Sequence, residues 1–120
     1  MGARIMHEYS IVGALLDQVE HLAKERGAKK VHRLKVRIGE CSGVEVSLLR
    51  TAYETFREGS LCAGAELEIE EVAAAWACSR CGAEVLPGGP LRCPDCGAPA
   101  RLSRGQEIFL DRVEMEIAHV

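Results

Sequence analysis

The feature that most constrains this chain is a pair of Cys-x-x-Cys motifs in its second half. Cys78 and Cys81 form the first pair, Cys93 and Cys96 form the second, and each pair is followed directly by glycine. Glycine allows the chain to turn tightly beneath a bound ion, and two such turns place four thiolates in the tetrahedral arrangement that zinc accepts. The spacing therefore predicts a closed, structural four-cysteine zinc site within residues 75–104.

Other roles for these cysteines are compatible with the sequence. A rubredoxin-like site would hold iron in the same cage, whereas a thiol–disulfide enzyme would need only one of the two pairs. A zinc ribbon that binds nucleic acid is the third alternative. Residues 76–104 contain more cations than anions, with Arg80, Arg92, Arg101 and Arg104 against Glu84 and Asp95. Trp76 is the single aromatic residue of this segment, which makes it a poor platform for stacked bases.

Two amphipathic helices and three strands are predicted outside this segment. Apolar residues recur at helical spacing over Ser10–Arg26 and again over Glu45–Glu58, each followed by glycine. Apolar and charged residues alternate, as in half-buried strands, over Val31–Ile38, Ala65–Glu70 and Ile108–Ile117. The strand–helix–strand order predicts that the first two strands pair in parallel. The predicted fold class is α/β, a small three-stranded sheet with two helices on one face, plus an inserted four-cysteine zinc-ribbon-like module.

The insertion divides the chain of 120 residues into two predicted domains. Residues 1–74 and 105–120 form the α/β domain, and residues 75–104 form the zinc-binding domain. Aromatic residues make up only 4% of the chain, against 48% hydrophobic residues in all, so the core must be mostly aliphatic. Cys41 and Cys62 stand apart from the paired motifs and are expected to be ordinary, partly buried side chains.

Charges on the predicted strands have a structural explanation. Cations on the first strand and acids on the second lie at alternate positions: Arg33, Lys35 and Arg37, then Glu66, Glu68 and Glu70. Opposite charges on neighbouring strands stabilise each other, so pairing across the sheet is expected rather than a ligand-binding patch. In the last strand the alternate positions that would share one face contain Phe109, Val113, Met115 and Ile117. Asp111 interrupts that alternation, which predicts a bulge or an end of the strand there.

Overall charge and hydropathy argue against several classes of protein. The net charge of −3 argues against a general electrostatic affinity for nucleic acid. No apolar run reaches the roughly 18 residues of a membrane span, and the first residues lack a signal-peptide core, so cytoplasmic localisation is predicted. No nucleophile with a neighbouring base and no phosphate-binding glycine loop is recognisable, so catalysis is not expected.

A second metal site is suggested by Met6-His7-Glu8, just before the first predicted helix. If Met6 were the first residue, its free amine, two early backbone amides and the imidazole would lie within one chelate loop. Nitrogen donors in a plane suit Ni(II) or Cu(II). Glu8 and Ser10 could equally act as acidic and capping residues at the helix N-terminus. The residues alone leave both roles open.

Taken together, these motifs resemble the HypA/HybF family of nickel metallochaperones, which act in the maturation of nickel–iron hydrogenase. The resemblance rests on Met6-His7-Glu8-Tyr9-Ser10 before an amphipathic helix, on Val36-Arg37-Ile38-Gly39-Glu40, and on the cysteine pairs before the last strand. It covers nearly all of residues 6–120. It implies a nickel-binding α/β domain joined to a structural zinc domain, with nickel as exchangeable cargo at His7 and Glu8.

The resemblance also implies partners. Nickel would be delivered to the hydrogenase large subunit together with a HypB-type GTPase, and relatives in some organisms also serve urease maturation. No nucleic-acid or membrane partner is implied, and the chain is expected to be a monomer or a weak homodimer. In the family the motif methionine is normally the first residue, whereas here Met1–Ile5 precede it. If those residues are retained, the Ile5–Met6 peptide nitrogen replaces the free amine and should take up metal less readily.

Overall fold

The computed structural model of the protein describes residues 2–117, with side chains described from His7 to Ile117. Along these residues the elements are α1 (Gly2–Arg26), β1 (Ala28–Gly39), α2 (Val46–Phe56), β2 (Glu66–Val72), β3 (Ala75–Cys78), β4 (Glu84–Val85), β5 (Ala100–Arg104) and β6 (Ile108–Ile117). The larger sheet is ordered β2-β1-β6, with β1 parallel to β2 and antiparallel to β6. A smaller sheet is ordered β4-β3-β5 and lies within residues 75–104. The predicted α/β fold class and the parallel pairing are confirmed.

Both helices pack against one face of the larger sheet. The core between them is mostly aliphatic, as the composition requires: Val12, Leu16, Val19, Val31, Leu34, Val36, Ile38, Leu49, Ala52, Tyr53, Cys62 and Ala65. Tyr53 brings a hydroxyl into this core, and the hydroxyl donates a hydrogen bond of 2.9 Å to the Ala65 carbonyl. Burial raises the pKa of Tyr53 to about 12. The ring therefore packs as an apolar group whose polar end is satisfied.

The helix boundaries differ from those predicted. Helix α1 begins at Gly2 rather than at Ser10, because Ala3, Arg4 and Met6 are good helix formers even though the apolar periodicity starts later. It ends before Gly27, whose positive φ of 66° stops the helix as predicted. Helix α2 is shorter than predicted, since it runs only from Val46 to Phe56.

The bulge predicted at Asp111 is confirmed, and it reverses the phase of β6. Lys35 of β1 pairs with Arg112 and Val36 pairs with Leu110, which leaves Asp111 as the extra residue. The inward side chains are consequently Leu110, Val113 and Met115. Phe109 and Ile117 are instead 42% and 41% exposed. The predicted place of Phe109 on the face of Val113 is wrong, because the extra residue between them shifts the alternation by one. Ile117 keeps the alternation of Val113 and Met115 but is exposed at the end of the strand.

Ion pairs cover the opposite face of the larger sheet, as predicted. Arg33 lies 3.1 Å from Glu66, Lys35 lies 3.1 Å from Glu70, and Arg37 lies 3.2 Å from the same carboxylate. The hydrogen bond and the charge of Lys35 lower the pKa of Glu70, and Glu70 in turn raises the pKa of Lys35. The charge runs on β1 and β2 therefore satisfy each other.

The chain enters and leaves the smaller sheet beside the end of β1. The Cys41 amide donates a hydrogen bond of 2.6 Å to the Gly105 carbonyl, and the Glu40 carboxylate accepts one of 2.8 Å from the Ala74 amide. A Cβ atom at Gly39 would collide with the backbone of Gly105. The segment that enters the smaller sheet and the segment that leaves it are thus both hydrogen-bonded to the short loop that follows β1.

Candidate metal sites

The four paired cysteines converge at one point of the smaller sheet. All four Sγ atoms lie within 4.8 Å of one another. The distance is 3.3 Å between the sulfurs of Cys78 and Cys96 and 3.7 Å between those of Cys81 and Cys93. Four sulfurs at about 2.3 Å from one zinc ion in a tetrahedron would be about 3.8 Å apart. The donor set and its spacing therefore fit zinc.

Local backbone geometry brings each pair of cysteines into position. Gly82 and Gly97, which follow the two pairs, have φ angles of 77° and 72°, a region that favours glycine. In the first pair the amides of Arg80 and Cys81 both donate hydrogen bonds of 3.3 Å to Cys78 Sγ. These turns supply the second layer of hydrogen bonds that metal-bound thiolates require.

Backbone amides and neighbouring sulfurs make the thiols of Cys78 and Cys96 unequal. The backbone amide of Cys81, and then that of Arg80, lower the pKa of Cys78 to about 6 despite its burial. The pKa of Cys96 rises to about 11, because the amide of Ala98, which lowers it, is outweighed by the nearby sulfur of Cys78 and by burial. Cys78 is therefore the thiolate available at neutral pH, and metal binding must displace the proton of Cys96.

Few apolar side chains support the cysteine cluster. Its buried residues are Cys78, Val85, Cys93 and Ala98, with Trp76, Ala83 and Ala100 packed against them. Two of these four buried residues are cysteines of the candidate metal site, so the small sheet has almost no apolar core of its own. One arginine that suggested nucleic-acid binding has a structural partner, since Arg92 donates a hydrogen bond of 3.0 Å to the Gly97 carbonyl.

The two remaining cysteines lie apart from this cluster. Cys41 is exposed and Cys62 is fully buried, so the expectation that both are partly buried is wrong. Cys62 lies in the core between the helices and the larger sheet, where burial raises its thiol pKa to about 11. A protonated, buried thiol is a poor nucleophile and a poor metal ligand, which leaves it a packing role.

His7 and Glu8 lie on different sides of α1. The side chain of His7 is exposed, whereas Glu8 is 0% exposed. One carboxylate oxygen of Glu8 accepts a hydrogen bond of 2.9 Å from the backbone amide of Glu45, the N-cap residue of α2. The other oxygen, Oε1, is buried without a hydrogen-bond partner. The structure therefore places the two residues predicted for nickel in adjacent positions but with side chains that do not converge.

The contact between Glu8 and Glu45 was missed by sequence reasoning. Glu8 precedes Val12 by four residues, so it lies on the apolar stripe that continues with Leu16 and Val19. Had the helix been extended back to Gly2, an acid on the buried stripe would have predicted a polar partner inside the core. The partner itself lies 37 residues away and has no local signature.

Fold and sites together define a class of protein: an α/β fold with an inserted four-cysteine module whose donor set and spacing fit a metal ion. A family model described as "Hydrogenase/urease nickel incorporation, metallochaperone, hypA" matches residues 6–115. The chain belongs to this family, the HypA family of nickel metallochaperones, whose members are not enzymes.

Similar proteins match over most of their length. The hydrogenase maturation factor HypA of Wolinella succinogenes is 48% identical over 114 residues, which span 92% of this chain and 96% of that protein. The HypA of Aquifex aeolicus is 40% identical, over 93% of this chain and 99% of its own. The solution structure of the nickel metallochaperone HypA from Helicobacter pylori aligns with a TM-score of 0.72 at 35% identity, covering 92% and 98% of the two chains. A second HypA solution structure aligns with a TM-score of 0.78 at 36% identity, covering 92% and 96%. Among the described residues, no helix is long and apolar enough to span a membrane.

Proposed function

We propose that this chain carries Ni(II) as exchangeable cargo, bound at His7 and Glu8, to the large subunit of nickel–iron hydrogenase. Membership in the HypA family is the observation that carries the proposal. The exposure of His7 supports it, because an imidazole at the surface can accept and release a metal ion without opening the core. A HypB-type GTPase is the expected partner in delivery, with urease maturation proteins as further candidates.

The helical start of the chain limits how nickel can bind. In an α-helix the amide of residue 7 bonds to the carbonyl four residues earlier, that of Ala3, so its nitrogen is not free for a metal. Only the first four amides lack an intrahelical acceptor. Binding through the backbone nitrogen of His7 therefore requires the first turns of α1 to unwind. Terminal turns open at little free-energy cost, which suits a cargo that must later be released.

The second part of the proposal is a resident zinc ion. Cys78, Cys81, Cys93 and Cys96 would hold it, and four thiolates leave no position for substrate. Zinc there supplies the cohesion that the small sheet lacks, and it takes no part in carrying nickel.

A nickel titration tests the cargo site. We expect wild-type protein to bind one exchangeable Ni(II) beside one tightly held zinc. His7→Ala should weaken nickel binding at least about tenfold, the factor for losing about 1.4 kcal/mol of binding free energy, and leave zinc in place. His21→Ala is the matched control, because His21 is also exposed on α1 but pairs with Glu25 at 3.1 Å. Equal nickel affinity in the two variants would refute the assignment of His7.

The same titration tests the nitrogen of Met6. A chain that starts at Met6 offers a free amine that titrates near about pH 7.7–8.0, whereas a chain that starts at Met1 offers a peptide N–H that the metal must ionise. We expect tighter binding and a gentler pH dependence when the chain starts at Met6. Superimposable curves between about pH 6 and 9 would show that this nitrogen is not a ligand.

A further inference from the structure

Glu8 has a structural role that is separate from any contact with metal. Its carboxylate reaches from α1 to the backbone amide of Glu45, at 2.9 Å. Glu45 is the N-cap of α2 and has no side-chain capping bond of its own. In a capping box, an acid three residues into the helix accepts the amide of the N-cap residue. Glu8 supplies the same bond from a different helix.

This role and a role in nickel binding exclude each other. Successive side chains on an α-helix point about 100° apart, and here His7 faces solvent while Glu8 is fully buried. One ion cannot contact both groups while Glu8 stays in the core. Oε1 of Glu8 has no hydrogen-bond partner in the core. The buried side chain is therefore held by a single hydrogen bond, and burying the second oxygen without a partner costs free energy.

We propose that Glu8 is a positioning residue for α2, and that nickel binding at His7 and Glu8 withdraws it and thereby releases the start of α2. This inference rests on the proposed function, because it assumes that nickel recruits Glu8. Withdrawal leaves the Glu45 amide without its acceptor and weakens the first bond within α2, which runs from Leu49 to the Glu45 carbonyl at 2.9 Å. It also frees one end of the exposed loop 40–45, so cargo loading changes a surface that partners can contact.

Amide hydrogen exchange with and without Ni(II) tests the proposal. In full-length, zinc-loaded wild-type protein, saturating nickel should speed exchange at Glu45 and Leu49 by about fivefold, a factor typical of losing one N-terminal capping bond. Exchange at Val36, in the middle of the larger sheet, should not change. Quenching with acid and a chelator removes the metal before the exchanged amides are read out.

Glu8→Gln separates the two roles of the side chain. The glutamine carbonyl can still accept the Glu45 amide, so exchange without nickel should match wild type, whereas a neutral carboxamide is a poorer metal ligand. Nickel should therefore bind this variant more weakly and leave the exchange at Glu45 unchanged. Glu25→Gln makes the same substitution at an exposed position of α1 and should respond to nickel as wild type does.

Each outcome decides a different question. Nickel that binds wild-type protein stoichiometrically without speeding exchange at Glu45 would overturn the inference and leave the cargo function standing. The same nickel-induced acceleration in Glu8→Gln would also overturn it, since the carboxylate would then not be required. A wild-type protein that binds no nickel would overturn both the inference and the proposed function.

Discussion

The two sheets of this protein are held together by different means. Among the residues whose side chains are described, the larger sheet and its two helices bury twelve in one core, nearly all aliphatic, and ion pairs cover the opposite face of the sheet. The smaller sheet buries four residues, and two of them are cysteines of the candidate metal site. Burial of apolar side chains stabilises the first, at about 25 cal/mol per Å² removed from water. The second has too little apolar surface for that, and with zinc at the proposed site it would depend on metal coordination instead.

This difference makes the two regions respond to different perturbations. Loss of the metal should unfold the smaller sheet and spare the larger one, whereas cavities in the core should do the reverse. The two regions meet at the loop after β1, and we expect each to unfold while the other stays folded.

The largest expected effect is the loss of one thiolate. Cys96→Ser should release the zinc and disorder residues 75–104, because structural zinc contributes an apparent free energy of about 10–16 kcal/mol in small zinc peptides. Backbone NMR signals of β3 and β5 should collapse toward random-coil positions while those of β1 persist. Cys41→Ser is the matched control, since Cys41 is exposed and lies outside the cluster. A smaller sheet that stays folded in Cys96→Ser would break the comparison.

A cavity in the larger core should have the next largest effect. Leu34 is 1% exposed on β1, so Leu34→Ala should lower the free energy of unfolding of the larger sheet by about 2–5 kcal/mol. Ile117→Ala removes the same number of atoms from a side chain of the same sheet that is 41% exposed, and it should change stability less. Urea denaturation followed at β1 measures both, and zinc content should stay at one equivalent in each. Loss of zinc from Leu34→Ala in the absence of urea would show that the regions are coupled.

Acid should destabilise the two regions at different pH values, and this effect should be smaller than that of either substitution. Lys35, and to a lesser extent Arg37, lower the pKa of Glu70 below its ordinary value near 4.5. A carboxylate with a lowered pKa contributes stability that is present above the unfolded value and is lost as pH falls through the folded value. The larger sheet should therefore weaken only below about pH 4.5, after proton competition at the thiols has already released the zinc.

A lysine variant sharpens this prediction. Lys35→Ala should reduce the acid-induced loss of stability, measured as the difference in urea midpoint between about pH 6 and 3, because it removes the first cause of the lowered pKa of Glu70. Lys24→Ala, on the exposed last turn of α1, should leave the difference as in wild type. An unchanged difference in Lys35→Ala would mean that the ion pairs on this face do not contribute to stability.

Much of the fold follows from local patterns in the sequence. The alternation of Leu34, Val36 and Ile38 with cations predicted β1 and its buried face, and the acids of β2 predicted the partner strand. Asp111 indicated the bulge, because it places a charged residue at one of the alternate positions of the strand that are otherwise apolar. The consequence for Phe109 could not be predicted, since the sequence does not show whether an interrupting residue ends a strand or is looped out of it.

The two candidate sites also differ in how far local sequence patterns predict them. Cys78 and its three partners could be identified because their ligand spacing is local and repeated. The environment of Glu8 could not, because it depends on where the N-terminus of α2 meets α1, a contact set by packing across 37 positions. The buried position of Glu8 could have been predicted only from the correct start of α1.

The contact between Gly39 and Gly105 has a consequence for redesign of this architecture. A Cβ atom at Gly39 would collide with the backbone of Gly105, and a Cβ atom at Gly105 would collide with Ala74. Nothing between residues 76 and 103 takes part in that contact, so its geometry does not depend on which side chains the inserted segment carries. A ribbon of different sequence, or one selective for another ion, could be grafted there if its ends kept the same separation. A methyl group at Gly39 or Gly105 would disturb this junction directly, whatever the sequence of the insert.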